Sequence, residues 1–226
     1  MHPVLAKAVN SFAEEVASVD LAEAQISPDP KLNRWSGQQV VEHLILSMRK
    51  SREGLEQVLK SKSSRSNRAT LLQHALSLQL FFGSMSRGMP ALPSVTPVAF
   101  VPEDGMLLSA RLLGEAEDLS KVLAECRLVF GLQPCGNHPI YGPLRVEEWR
   151  NYHAVHFRHH LKQFKGSIAF ARKQLELGNL DKAVQGSHGP LSAAETARAE
   201  FAGSPSQTAA EVRVLVKDRT NGDKRR

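Results

Sequence analysis

Apolar residues recur along this chain at the three- and four-residue intervals of a helix, not at the two-residue interval of a strand. Val4, Leu5, Val9, Phe12 and Val16 predict a first amphipathic helix over about residues 3 to 19. After a loop marked by Pro28 and Pro30, Ser36 with Gln39 three positions on reads as a capping box. The stripe Val40, Val41, Leu44, Ile45, Met48, Leu55 and Leu59 then predicts a long helix over about 37 to 61. ATLLQHALSLQLFFGSM predicts a shorter helix at about 68 to 83, and Leu108, Leu112, Leu119, Val122, Leu123 and Cys126 predict another from Met106 to about Val129, stopped by Gly131 and Pro134. VEEWRNYHAVHFRHHLKQFKGSIAFARKQLEL completes the set at about 146 to 177, with Glu147 and Glu148 in its first turn and Gly178-Asn179 as its stop.

Between these helices lie a basic, Ser-rich segment at 60 to 68, a crossing loop with four prolines from Pro90 to Pro102, and a Gly/Pro/Asn-rich connection, GLQPCGNHPIYGPL. No strand pattern is visible before residue 180. The expected fold is all-α: four principal helices packed as a bundle, with an accessory helix between the second and the third. From about residue 181 the chain is rich in Ala, Ser, Gly and charge, with Phe201 its one aromatic. Such a segment buries little apolar area, so a domain over 1–180 and a flexible tail over 181–226 are expected. VRVLV at 212 to 216 is read as part of that tail.

At 226 residues with 42% hydrophobic and 23% charged residues, the composition is that of a soluble globular chain. No stretch reaches the ~20 apolar residues of a transmembrane helix, and the N-terminus carries Glu14 and Glu15 on an amphipathic pattern, unlike a secretory signal. Two cysteines, Cys126 and Cys135, make neither a disulfide framework nor a paired metal-ligand spacing, which fits a reducing compartment. A cytoplasmic location is expected and no membrane partner. Net charge is +6, concentrated at Lys60, Lys62, Arg65, Arg68 and at Lys224, Arg225, Arg226. Neither cluster is interleaved with aromatic residues, so nucleic acid is not an expected partner either.

The chemistry is concentrated in NYHAVHFRHHLKQF, which holds four of the nine histidines. On a helix His156 and His160 lie about 40° apart and one turn on, and His153 lies about 60° from His156, so this face is polar for three turns. A polar stripe on a bundle helix faces either water or a polar centre, and a lone H-x-x-x-H does not separate the two. His43 sits in the long second helix among Val40, Val41, Leu44 and Ile45, where a buried imidazole needs partners for its nitrogens. Three histidines from two helices of one bundle would make an open metal site, with one position left for water or substrate. Trp35 and Trp149, ahead of the two histidine helices, read as packing aromatics, and His138 as a turn residue before proline.

WSGQQVVEHL resembles the Trp-Ser-x-x-x-hydrophobic-x-x-His-Leu entry of the DinB-like (YfiT-like) superfamily of metal-binding four-helix bundles, and HFRHHLKQF resembles its closing His-x-x-x-His-x-x-Gln stretch. SRGMPALPSVTPVAFVP and HPIYGPLRVEEWRNYHAVHFRHHLKQF are similar to an uncharacterised branch, a domain of unknown function, with a Pro-rich crossing loop, a His-Pro-x-x-Gly turn and a Glu-Glu-Trp helix start. Together the likenesses cover about residues 30 to 178. They imply an up-down-down-up bundle whose divalent metal, zinc or nickel, is held by His43, His156 and His160, with Gln163 in the Gln place of the closing motif. His153 and His159 match no ligand.

Characterised relatives of that superfamily include thiol transferases and maleylpyruvate isomerase-like enzymes. The resemblance therefore implies a metal-dependent thiol S-transferase or hydrolase in which a metal-bound thiolate or hydroxide attacks an electrophile. A low-molecular-weight thiol would be the co-substrate, and His153 a candidate for proton transfer or for orienting a ligand. The alternative is a metal-binding or stress-response bundle without turnover. A small-molecule substrate is the expected partner, and a homodimer is the assembly left open.

Overall fold

The computed structural model describes residues 1–29, 34–63, 68–85, 91–97 and 101–178. The chain divides into two units, Met1–His188 and Gly189–Arg226. The second unit, the expected tail at 181–226 with its VRVLV segment, and His188 lie outside the described residues.

The described part of the first unit is mostly helical. Its α-helices are α1 (Pro3–Ala17), α2 (Leu21–Gln25), α3 (Gly37–Ser61), α4 (Leu71–Phe81), α5 (Gly105–Phe130) and α6 (Val146–Glu176), with a 3-10 turn at Pro93–Val95. Pro3 opens α1, where its missing N–H costs nothing. Ser36 Oγ accepts from Gln39 N–H at 3.3 Å while Gln39 Oε1 accepts from Ser36 N–H at 2.9 Å, the reciprocal cap expected for α3. Asp104 caps α5 by accepting from Leu107 N–H, and Gly131 ends it at φ +59°, a conformation that favours glycine.

Two features differ from expectation. The first helix stops at Ala17 and not near residue 19, and a separate short helix, α2, follows. Asp20 and Glu23 form a capping box there, so a new N-terminus competes with continuation of α1. The connection at 131–145, expected as an irregular loop, contains an antiparallel pair, β1 (Gly136–His138) and β2 (Gly142–Leu144), in the register Gly136↔Leu144 and His138↔Gly142. Strands of three residues are too short for alternation to show. The turn between them needs Gly142 at φ +75°.

The long helices α1, α3, α5 and α6 share one core: α1 packs on α5 and α6, and α3 packs on the same two. Phe12 of α1 meets Phe157 edge-on with ring centres 5.5 Å apart and Phe164 at 5.3 Å, which anchors α6 across the core. Polar contacts set α3 against α5. Arg111 donates to both oxygens of Glu42 and to Glu103, and Arg49 and Arg52 converge on the buried Glu115. Glu42, one anchor of this clamp, directly precedes His43 in α3.

Candidate metal centre

His43 leaves α3 on its buried side, and His156 and His160 leave α6 one turn apart on the side that faces α3. All three are only 5 to 7% exposed. The polar stripe of α6 therefore faces inward, a choice that helical spacing alone leaves open. Nε2 of His156 lies 3.1 Å from Nε2 of His43 and 3.0 Å from Nε2 of His160. These three imidazoles form the group of His, Cys, Asp or Glu side chains, among the described residues, that could hold a metal ion.

The outward nitrogens decide the protonation. His43 Nδ1 lies 2.8 Å from the Val95 carbonyl, which only accepts, so Nδ1 carries the hydrogen and Nε2 presents a lone pair. His160 Nδ1 donates to Gln163 Oε1 at 2.7 Å with the same result. His156 Nε2 has at most one hydrogen to share between two neighbours, so in a neutral cluster a lone pair is left facing a lone pair. A cation removes that conflict. Tetrahedral zinc with nitrogen ligands at 2.0–2.1 Å needs ligand atoms about 3.3 Å apart, close to the separations present. The residues thus fit the group, with one gap: His156 Nδ1 is buried and has no hydrogen-bond partner.

Electrostatics point the same way. Burial lowers the pKa of all three rings; for His43 the Val95 bond opposes the shift, and for His156 the other imidazoles add to it. His160 is pushed down to about 3 by burial and by His43, with Gln163 opposing. All three are neutral near pH 7, the form that ligates a metal. Trp35, expected as a packing residue, has its ring 4.8 Å from His43 and 6.3 Å from His160, and so covers one side of the cluster.

The other histidines separate from this group. His153 is completely buried, its ring against Tyr152 at 4.6 Å and Trp149 at 6.3 Å, and neither of its nitrogens has a hydrogen-bond partner. His159 is half-buried beside His160, with ring centres 5.0 Å apart. His138, read from sequence as a turn residue, is buried: its Nδ1 accepts from the Ile140 and Tyr141 N–H groups, and its ring lies 4.4 Å from Tyr152. One contributor to the site carried no readable signal, the Val95 carbonyl, which is backbone at the end of the 3-10 turn.

No curated protein and no solved structure matches the chain. A family described as a protein of unknown function (DUF1569) matches residues 7–167, a span that runs from α1 to beyond the histidine pair of α6. The chain belongs to that family.

Proposed function

We propose that His43, His156 and His160 hold a divalent metal, zinc or nickel, and that the protein is a metal-dependent transferase of the thiol S-transferase type, or a hydrolase. The single observation that carries this is the convergence of three neutral, buried Nε2 atoms within about one coordination sphere, two of them fixed by hydrogen bonds on the far side of the ring. The motifs around Trp35–His43 and His156–Gln163 support a place in the DinB-like superfamily. The packing of α1 and α3 each against α5 and α6 fits its up-down-down-up bundle, with α4 as the accessory helix.

When bound, a divalent cation on three neutral imidazoles keeps its full charge and lowers the pKa of a thiol or water in the open position. The protein's own residues set the conditions. Val95 and Gln163 lock two rings with their lone pairs inward, and Trp35 shields the cluster on one side. His153, one turn before His156, is the candidate for moving a proton or orienting the site.

One observation favours a second reading, a metal-binding bundle without turnover. The hydrogen bonds of the three rings run to Val95, to Gln163 and to one another, and among the described residues no carboxylate joins the group to act as a general base. Metal analysis of untagged protein tests the core of both readings. About one divalent metal per chain is expected, lost in His43→Ala, His156→Ala and His160→Ala and retained in His159→Ala. Absence of stoichiometric metal, or its retention in His43→Ala with loss in His159→Ala, refutes the site. Turnover of a thiol with an electrophile, present in the wild type and lost with the metal, separates the first reading from the second.

A further inference from the structure

Helix α4 carries large apolar residues on both of its sides. Its inward side is Gln73, Leu76, Ser77 and Leu80: Leu80 is buried in the core and Leu76 packs against it, while Ser77 Oγ donates to the Tyr141 carbonyl and Asn151 Nδ2 donates to the Leu80 carbonyl. Its outward side carries the exposed ones. Leu71 is 90% exposed, Leu72 68%, Leu78 59%, Phe81 77% and Phe82 78%. At about 100° per residue, Leu71, Leu78 and Phe82 fall within about 40° of one another, with Phe81 and Leu72 flanking them. A soluble surface does not ordinarily leave so many large side chains contiguous and unburied.

Along the chain, the charge on either side of this ridge has one sign. No Asp or Glu occurs between Glu56 and Glu103, a stretch that holds Lys60, Lys62, Arg65, Arg68 and Arg87. Arg68, exposed, lies three residues before Leu71, and Lys60 and Lys62, also exposed, end α3 just upstream. At the other end of α4 the guanidinium of Arg158 on α6 lies against Gly83, directly after Phe82. Arg68 and Arg158 thus place a cation at each end of an apolar helix about 16 Å long.

We infer that α4 is a surface-lying membrane anchor: it inserts its Leu/Phe ridge into the headgroup boundary of an anionic lipid bilayer, with the flanking cations on the lipid phosphates. No described helix is long and apolar enough to cross a membrane, and an interfacial helix does not need to be. A second copy of the chain fits less well, because a two-fold contact through α4 brings like-charged ends together. A peptide partner would need a groove, and α4 presents a ridge. For nucleic acid, three of the five exposed residues are leucines, which cannot stack on bases.

The test is flotation of the full-length protein with vesicles of phosphatidylcholine alone or with about 30% phosphatidylglycerol, run beside light scattering in solution. Binding to the anionic vesicles is expected to exceed binding to the neutral ones about tenfold and to weaken at about 0.5 M salt. Leu71→Ser/Phe81→Ser/Phe82→Ser should abolish it, and Lys60→Gln/Lys62→Gln/Arg68→Gln should reduce it about tenfold. Metal content and melting temperature should stay unchanged in both variants, so this outcome is independent of the metal site. Failure to float with anionic vesicles overturns the inference. So does a dimer that Phe81→Ser/Phe82→Ser dissociates, or binding to single-stranded DNA in preference to vesicles.

Discussion

Nε2 of His43 lies 3.1 Å from Nε2 of His156 inside the core, while the opposite nitrogen of His43 is committed to the Val95 carbonyl. One hydrogen on His156 Nε2 satisfies either His43 or His160 but not both, a metal satisfies all three, and burial disfavours the extra proton that would charge a ring. Removal of metal should therefore destabilise the fold. At a free metal concentration about a hundred times Kd, binding contributes about 2.7 kcal/mol, so dialysis against a chelator should lower Tm by about 5–10 °C and zinc should restore it. Calorimetry before and after dialysis checks this, and an unchanged Tm counts against the site.

Gln163 acts on the metal through His160. Gln163→Leu removes the acceptor of the 2.7 Å bond from Nδ1 and frees both ring orientation and tautomer. Metal affinity should fall about 10- to 100-fold with little loss of helicity. Competition with a chromophoric chelator measures the first, and circular dichroism the second.

The fold should be acid-labile in a defined window. His138 is held down to about 4 by burial, and His153 to about 3 by burial and by His138. Both are neutral in the folded state, whereas in the unfolded chain a histidine takes up a proton near pH 6.5. Below pH 6.5 the unfolded state thus binds more protons, and stability falls as pH drops from 6.5 to about 4. His138 alone accounts for about 3 kcal/mol of this loss. His138→Asn keeps an acceptor for the Ile140 and Tyr141 amides but does not titrate. Its proton uptake on acid unfolding, read from the slope of stability against pH in metal-free protein, should be lower by about one.

His153 sits in an apolar, aromatic setting with both nitrogens unpartnered, at a cost of about 1–3 kcal/mol for each buried unsatisfied group. His153→Leu should leave stability unchanged or raise it by about 1 kcal/mol, and should retain the metal. If His153 moves a proton in turnover, the same variant loses activity while Tm and metal content hold. Parallel assays of the three quantities distinguish a working residue from one that only fills space.

Gly105 is where α5 meets the end of α1. Its N–H donates to the Val19 carbonyl at 2.9 Å, and a Cβ would fall 2.0 Å from the Val16 carbonyl oxygen and 2.5 Å from that of Val19. Backbone cannot yield as a side chain does, so Gly105→Ala should cost about 3 kcal/mol or more. Urea unfolding checks this, and a loss under about 1 kcal/mol would mean that the two helices are not held this closely.

Much of the fold was legible because its signals are local. Ser36 and Gln39 announced the start of α3, and the Leu and Val stripes gave the length of each long helix, whereas α2 was missed because its signal is a cap, Asp20 with Glu23, on a helix of five residues. The two short strands were not legible, since Gly136–His138 and Gly142–Leu144 show no alternation in three residues.

The chain sequence by itself determined which histidines can share a helix face, because 100° per residue brings His156 and His160 together whatever surrounds them. Only the tertiary structure decided that this face turns inward. That depends on Phe12 drawing Phe157 and Phe164 into the core, and on Arg111 holding α3 against α5 through Glu42 beside His43. Tertiary structure also brought the Val95 carbonyl to the outer nitrogen of His43, a contact with no side-chain signal. Periodicity is a property of one helix, whereas a ligand set spread over two helices and a loop exists only once their packing has brought distant parts of the chain within about 3 Å.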